Sequence, residues 1–457
     1  MMIKTICYGW VWCYLLMCWG NPLIYCQDIY LKTEIASSLN PVGSGARALG
    51  MGGAFIGVAD DATAASWNPG GLIQLEKKEF SIVGSYFSRT ETNQFDFFSQ
   101  ASGNYSIDQS QLNYLSLAYP FIFNQYDMIV SINYQHLYEF YRAWGELNLS
   151  YDQLSYDNTT RIHYDQEGDL YALGLAYCIR INPKLSTGLT LNYWGDALND
   201  NQWEQHYVEM YSNIIADIPQ ILTSNRNTTY DFKGFNFNLG FLYRFNEEWT
   251  LGGVFKSPFK ADIDRHITQR DSILYPKGGG MNASIIQPEI TRHDQLSMPM
   301  SYGFGIAYRK NDQITVSFDV YQTRWDDYKY IHEDGGSNSP ISGRTMAQSD
   351  VDPTTWFRCG MEYLMIGQQT VFPLRAGIFY DPAPAEGSPD KYLGLALGSG
   401  FVYEFKEKQP FIQSLIFDIA YQWRVGNNVG QSLLEETSFS QDIYEHKLYG
   451  SLIVHFY

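Results

Sequence analysis

The chain of 457 residues carries a formal net charge of -18 and is rich in aromatics, with 36 Tyr and 27 Phe. An acidic balance without a basic stripe excludes nucleic acid as a partner, because nothing is present to neutralise phosphates. No stretch of ~20 apolar residues follows the N-terminus, which excludes helical membrane spans, and the abundance of Tyr, Phe, Gly and Asn favours strands over helices.

In chain order, residues 1–26 read as an export signal. Lys4 precedes the apolar run ICYGWVWCYLLMCWG, which has the length of a signal core and is short for a membrane helix. Cleavage is expected near Cys26, leaving Gln27 first; Ile24 and Cys26 meet the small-residue rule poorly. A lipidated Cys26 is the alternative, and the bulk of Tyr25 opposes it. Four cysteines fall in this segment. The mature chain keeps Cys178 and Cys359, both in predicted strands and read as small apolar side chains rather than a disulfide. The eight histidines are scattered. With no Cys/His framework and no Ser/His/Asp set, no metal, cofactor or catalytic residue is assigned, which opposes an enzyme such as a barrel phospholipase.

Segment 27–79 is dense in glycine, including Gly43, Gly45, Gly50, Gly52, Gly53, Gly57, Gly70 and Gly71, and lacks sustained alternation. Gly43-x-Gly45-x-x-Ala48 imitates a dinucleotide fingerprint, but no apolar strand precedes it and no βαβ unit surrounds it. Asp60 and Asp61 are read as anchoring the segment to basic side chains inside a wall, since a buried acid needs a partner; cation binding is the alternative. Asn68-Pro69-Gly70 is a turn former.

From residue 80 onward one pattern repeats. About fourteen alternating runs are placed at 80–88, 111–122, 127–140, 168–181, 185–194, 231–245, 249–262, 296–309, 313–329, 354–366, 370–381, 390–405, 410–425 and 443–457. In GFNFNLGFLYRF (234–245), Phe235, Phe237, Leu239, Phe241, Tyr243 and Phe245 share one face, and Gly234, Asn236, Asn238, Gly240 and Arg244 the other. Every second run ends in a brief turn: FNQYD, INPK, NEE, KND, GQQ and KEKQ. The others lead into long polar segments such as 195–230, 263–295 and 330–353. Short turns alternating with long loops mark a barrel whose two termini face the same, periplasmic side. Closure follows from the lipid, which offers no partner for an unpaired strand edge.

The expected architecture is therefore all-β: a transmembrane antiparallel barrel (80–457) of about 14 strands. Residues 27–79 form an N-terminal hatch inside its lumen, because that many strands enclose more space than side chains fill. The last strand, YGSLIVHFY, ends on Phe456 and Tyr457, which suits recognition by barrel-assembly machinery. Within 195–230, Tyr207, Met210, Tyr211, Ile214, Ile215 and Ile218 fall at near-helical spacing and predict an amphipathic external helix, either an apolar capture groove or a cap on its neighbours. The acidic groups at His332-Glu333-Asp334, Asp350 and Asp352 are solvated loop charge, with bridging to lipopolysaccharide through divalent ions as the alternative.

GSGARALGMGGAFIGVADDATAASWNPGGL (43–72) resembles the N-terminal hatch motif of the FadL/TodX outer-membrane transport family. The family's Ala-Asp-Asp falls on Ala59, Asp60 and Asp61, and its Asn-Pro-Ala on Asn68, Pro69 and Gly70, with glycine replacing the usual alanine. MPMSYGFGIAYR (298–309), VSFDVYQTRWDDY (316–328) and LRAGIFYDPAPAEGSPD (374–390) extend the likeness over most of the chain. The resemblance implies a hatch-plugged barrel in the outer membrane of a Gram-negative-type bacterium that takes up fatty acids, aromatic hydrocarbons or other lipophilic molecules passively. It also implies a monomer, a role in gating for the hatch residues, and neighbours of outer-membrane lipid and lipopolysaccharide. PorV-like barrels, which serve protein secretion as carriers or scaffolds, share the motif and are the alternative.

Overall fold

The structure, a computed structural model, describes residues 43–457 apart from 97, 152–157, 198, 216–217, 406–410, 432 and 434–437. The expected export signal, its cleavage point, the first part of the predicted hatch and the KEKQ turn lie outside the described residues.

The strands follow the predicted order. β1 (Lys78–Phe95) and β2 (Gly103–Phe123) form a hairpin. β3 (Tyr126–Glu139) and β4 (Arg142–Tyr151) run one after the other along β5 (Asn158–Asn182). β6 (Leu185–Trp194) and β7 (Gln202–Ile215) run likewise between β5 and β8 (Ile218–Arg244). β9 (Trp249–Lys256) leads past Pro258 into β10 (Phe259–Leu274); after β11 (Ala283–Ile286), β12 (Ile290–Met298) leads past Pro299 into β13 (Ser301–Lys310). Proline has no N–H to donate to a ladder, so each strand breaks there and resumes. β14 (Ile314–Thr323), the short β15 (Lys329–Ile331) and β16 (Ser337–Asn338), then β17 (Thr354–Ile366), β18 (Thr370–Tyr380), β19 (Tyr392–Glu404), β20 (Ile412–Val429) and β21 (Phe439–Phe456) complete the chain.

Fourteen of these strands close a ring. β1, β2, β3, β5, β6, β8, β9, β13, β14, β17, β18, β19, β20 and β21 pair antiparallel in that order, and β21 pairs back onto β1 from Lys78↔Phe456 to Phe95↔Phe439. The brief turns sit together at the end where β1 begins and β21 ends. The first is a two-residue turn at Asn124 and Gln125, both at positive φ (45 and 72), which matches the twist of the flanking strands.

Side chains alternate as the sequence requires. Phe235, Leu239, Phe304, Ile378 and Leu397 are exposed on the outer wall, whereas Asn236, Asn238, Ser301 and Ser317 are buried on the inner one. Such a belt of exposed large apolar groups is stable only against hydrocarbon. Cys178 and Cys359 are both free thiols.

Two predicted loops are instead sheet. Among its described residues, segment 195–230 holds no amphipathic helix: β7 pairs with β8 from Gln202↔Asp231 to Ile215↔Ile218 and with β5 from Asp169 to Thr159. The apolar spacing that suggested a helix is overridden because two open strand edges offer β7 a complete ladder. Segment 263–295 is likewise β10, β11 and β12. These pieces, with β4, extend the sheet past the ring on the side away from the termini.

Candidate functional site

Residues 43–77 lie inside the ring, since they contact inward side chains around its circumference. The segment carries two short helices, α1 (Ala46–Gly50) and α2 (Ala64–Trp67), and a 3-10 turn at Pro69–Gln74. Its own small core is Phe55 edge-on to Trp67 at 6.0 Å, and the Trp67 indole donates to Ser44 O at 2.6 Å. The wall answers with polar groups aimed at its backbone. One oxygen of Asp319 on β14 accepts from Phe55 N at 2.6 Å and Ile56 N at 2.8 Å. Glu79 on β1 accepts from Ala62 N (3.0 Å), and the Tyr114 hydroxyl on β2 donates to Ala62 O (2.8 Å). Thr190 and Ser186 on β6 donate to Ala65 O and Gly70 O, and Gln422 on β20 to Leu49 O. These contacts satisfy backbone groups that the irregular segment would otherwise bury unpaired.

Asn68 is a clamp as well as a turn residue. Its Oδ1 caps Gly70 N at 3.1 Å, while its Nδ2 donates to Ile56 O (2.9 Å) and to Phe241 O on β8 (2.8 Å). Pro69 opens the turn, where a missing N–H costs nothing. At Gly70 the approach to the wall is decisive: a Cβ there would stand 2.6 Å from Phe241 Cα. The Gly-for-Ala replacement in the motif is thus matched to a wall that comes unusually near.

Charges cross from segment to wall in an unbroken alternation. Arg309 on β13 meets Asp60 at 2.7 Å, and Asp60 meets Arg47 at 2.7 Å. Arg47 reaches Glu362 on β17 at 2.8 Å, Glu362 holds Arg375 on β18 at 2.6 Å, and Arg375 holds Asp418 on β20 at 2.6 Å. Every charge has an opposite neighbour, which is what makes burial of ions tolerable. Asp61 stands apart: its carboxylate accepts from Thr63 N at 2.9 Å and from the Thr63 hydroxyl. Burial pushes its carboxyl up to about 7, Arg47 opposing the shift and Glu79 adding to it.

Beyond the segment, away from the termini, the lumen changes character. Phe140, Trp194, Trp203, Tyr230, Phe232, Trp325, Tyr328 and Tyr392 belong to one buried apolar cluster. Trp203 is sandwiched between Phe140 and Tyr230, each ring centroid 4.7 Å away. A second cluster, including Trp144, Tyr164, Tyr207 and Phe439, sits in the extended sheet.

The family of outer-membrane transport proteins described as OMPP1/FadL/TodX matches residues 39–393, well over half of the chain. The chain belongs to the FadL/TodX family. No curated protein matches it. Among solved structures it is similar to a FadL homologue of Pseudomonas aeruginosa, at 13% identity and a TM-score of 0.55 over 91% of this chain and 98% of that one. It is also similar to the toluene transporter TodX of P. putida, at 13% identity and a TM-score of 0.54 over 92% and 99%. At these identities the likeness is one of fold.

In this FadL/TodX chain, Asp60, Asp61, Asn68, Pro69 and Gly70 come together inside the ring. The other group does not converge on one apolar face. Tyr207 is buried, Met210, Tyr211, Ile214 and Ile218 are spread along the hairpin, and the side chain of Ile215 lies outside the described residues. Sequence reading missed Arg47, Arg309, Glu362, Arg375 and Asp418. The inward phase of the last four on their strands was a usable signal, because a charged residue among Gly, Ser and Asn on the luminal face requires a partner.

Proposed function

We propose that this protein takes up hydrophobic small molecules passively across the outer membrane, aromatic hydrocarbons or long-chain fatty acids being the substrate class, with residues 43–77 as a movable hatch. The observation that carries this reading is the aromatic filling of the lumen beyond the segment, from Phe140 and Trp203 to Trp325 and Tyr392. A greasy solute gains about 25 cal/mol for each Å² of apolar surface it buries there, whereas a hydrated ion gains nothing. That the similar TodX of P. putida is a toluene transporter supports the same class. Of the expected entry group, Met210, Tyr211, Ile214 and Ile218 lie on the projecting hairpin with side chains open enough to meet a solute first, and are assigned to capture. Asp60, Asn68, Pro69 and Gly70 hold the hatch against the wall, and Asp61 braces it from within through Thr63, by contacts each worth about 1 kcal/mol net, few enough to be released in groups. The working unit is a monomer surrounded by lipid and lipopolysaccharide.

The experiment is a tether. A Cβ on Gly50 would stand 3.5 Å from Ala420 Cβ, within disulfide reach. Proteoliposomes bearing the Gly50→Cys, Ala420→Cys chain are expected to take up labelled toluene and oleate only after reduction, while wild type does so in either state. Uptake no faster than that of empty liposomes by the wild-type protein removes the proposal.

A further inference from the structure

Where β5 and β7 run together beyond the ring, their outward faces bring two imidazoles and a carboxylate into one place. The two-residue period puts His163 and Asp165 on the same side of β5. The register sets His206 of β7 directly across from Asp165, with Val208 across from His163, a separation at which cross-strand side chains touch. One ring nitrogen of each histidine and one Asp165 oxygen all lie within 4.8 Å of one another. His163 Nε2 is already 2.6 Å from Asp165 Oδ2, and the two rings meet edge-on at 6.0 Å. All three side chains are half-buried, so they are held by the sheet yet open to solvent. The next cross-strand pair on that face is Glu167 opposite Glu204, both exposed, which leaves the surroundings net negative.

We propose that His163, Asp165 and His206 form a binding site for one divalent transition ion of the zinc class. Two imidazole nitrogens and one carboxylate oxygen suit Zn(II), Cu(II) or Ni(II), whereas Ca(II) and Mg(II) favour oxygen alone. Tetrahedral zinc with bonds of about 2.1 Å needs its ligand atoms about 3.4 Å apart. To reach that spacing the 2.6 Å His163–Asp165 contact opens and His206 draws in, a side-chain adjustment that the proposal asks for with the strands left in place. Solvent supplies the remaining position, as in sites with three protein ligands. The bound ion ties β5 to β7 at the root of the projecting hairpins, so loading stiffens that part of the sheet. None of these residues belongs to the luminal segment or to the aromatic clusters, and the site stands whatever the barrel carries.

Alone, a His–Asp pair is an ordinary surface hydrogen bond. What points further is the second imidazole placed on the same oxygen-bearing neighbour, from a strand whose register fixes it there. No local ligand spacing in the sequence announces this, because the two histidines meet only through β5–β7 pairing.

The test uses the full-length, untagged protein in detergent with Zn(II) as the probe, by equilibrium dialysis with elemental analysis and by titration calorimetry. One saturable ion per chain is expected near pH 7.5, with imidazole ligating as the neutral base. His163→Gln and His206→Gln each lower the affinity at least about tenfold, the lower end of what losing even a supporting partner costs, and the double variant abolishes saturable binding. Cu(II) loaded in place of zinc shows two-nitrogen coupling in its electron paramagnetic resonance spectrum, reduced to one in either single variant. These positions face outward and leave the ladder intact, and circular dichroism of each variant confirms the barrel. No saturable zinc, wild-type stoichiometry in the double variant, or calcium binding the same residues equally well overturns the proposal.

Discussion

The two halves of the lumen are built on opposite principles. Around residues 43–77 the wall presents carboxylates, hydroxyls and guanidinium groups to backbone, and small residues let the two surfaces meet. Beyond it the wall presents indole and phenol rings that pack on one another. Directional polar contacts specify one seating of the segment, and each can be broken separately. Aromatic packing is non-directional and tolerates exchange of one apolar body for another. The proposed uptake asks for both kinds of contact, one to seat the segment and one to accept an apolar solute.

The strongest way to break the polar half is Glu362→Ala. It leaves Arg47 and Arg375 without their shared carboxylate, and removing one partner of a buried pair costs about 3–5 kcal/mol. Hydrogen exchange should then rise throughout 43–77 while the ring ladders stay protected, and planar-bilayer conductance should increase. An unchanged exchange pattern means the charge alternation does not hold the segment. The aromatic half is probed by Trp203→Ala, which opens the Phe140–Trp203–Tyr230 stack at a cost of about 3 kcal/mol. Uptake of labelled toluene should change several-fold, with exchange in 43–77 unaffected. Parallel effects of both variants on the segment dissolve the distinction between the halves.

Much of the ring was legible because lipid imposes a period of two and because turns need particular residues. All fourteen ring strands fall on predicted runs, and the Gly43–Leu72 motif marked the segment that enters the lumen. The hairpin β7–β8 was not legible. Tyr207, Met210, Tyr211 and Ile214 satisfy a helical spacing, and only the edges of β5 and β8, distant in sequence, decide for a strand. The wall partners of the segment were hidden for a related reason: Arg309 becomes a neighbour of Asp60, and Glu362 of Arg47, only when the ring closes. Local chemistry names the groups that need partners, and topology names the partners.

Gly70→Ala is a milder probe of the same seating. Its Cβ meets Phe241 backbone at 2.6 Å, and such overpacking costs about 1–3 kcal/mol. Loss of protection should be centred on 68–74 rather than on α1. Wild-type protection there means the wall gives way at no cost, and the glycine has no steric reason.

The smallest effect expected is a slope with pH. Asp61 has its carboxyl held near 7 by burial, with Glu79 and Asp60 adding to the shift and Arg47 and the Thr63 hydrogen bond opposing it. Once the segment leaves its seat and Asp61 meets water, the group returns to an ordinary carboxylate, about 3.9. The seated form therefore binds more protons between those two values, and its stability is full below about pH 4, declines as pH rises, and levels off above about 7. Protection of 43–77, corrected for intrinsic exchange, should fall between about pH 5 and 7 and then flatten. The comparison is with Asp61→Asn, which keeps the shape and removes the charge. The variant should show a flatter profile and better protection at the higher pH. A slope of the same size in the variant assigns the dependence to other groups, and a slope of opposite sign means that Asp61 is seated as the anion.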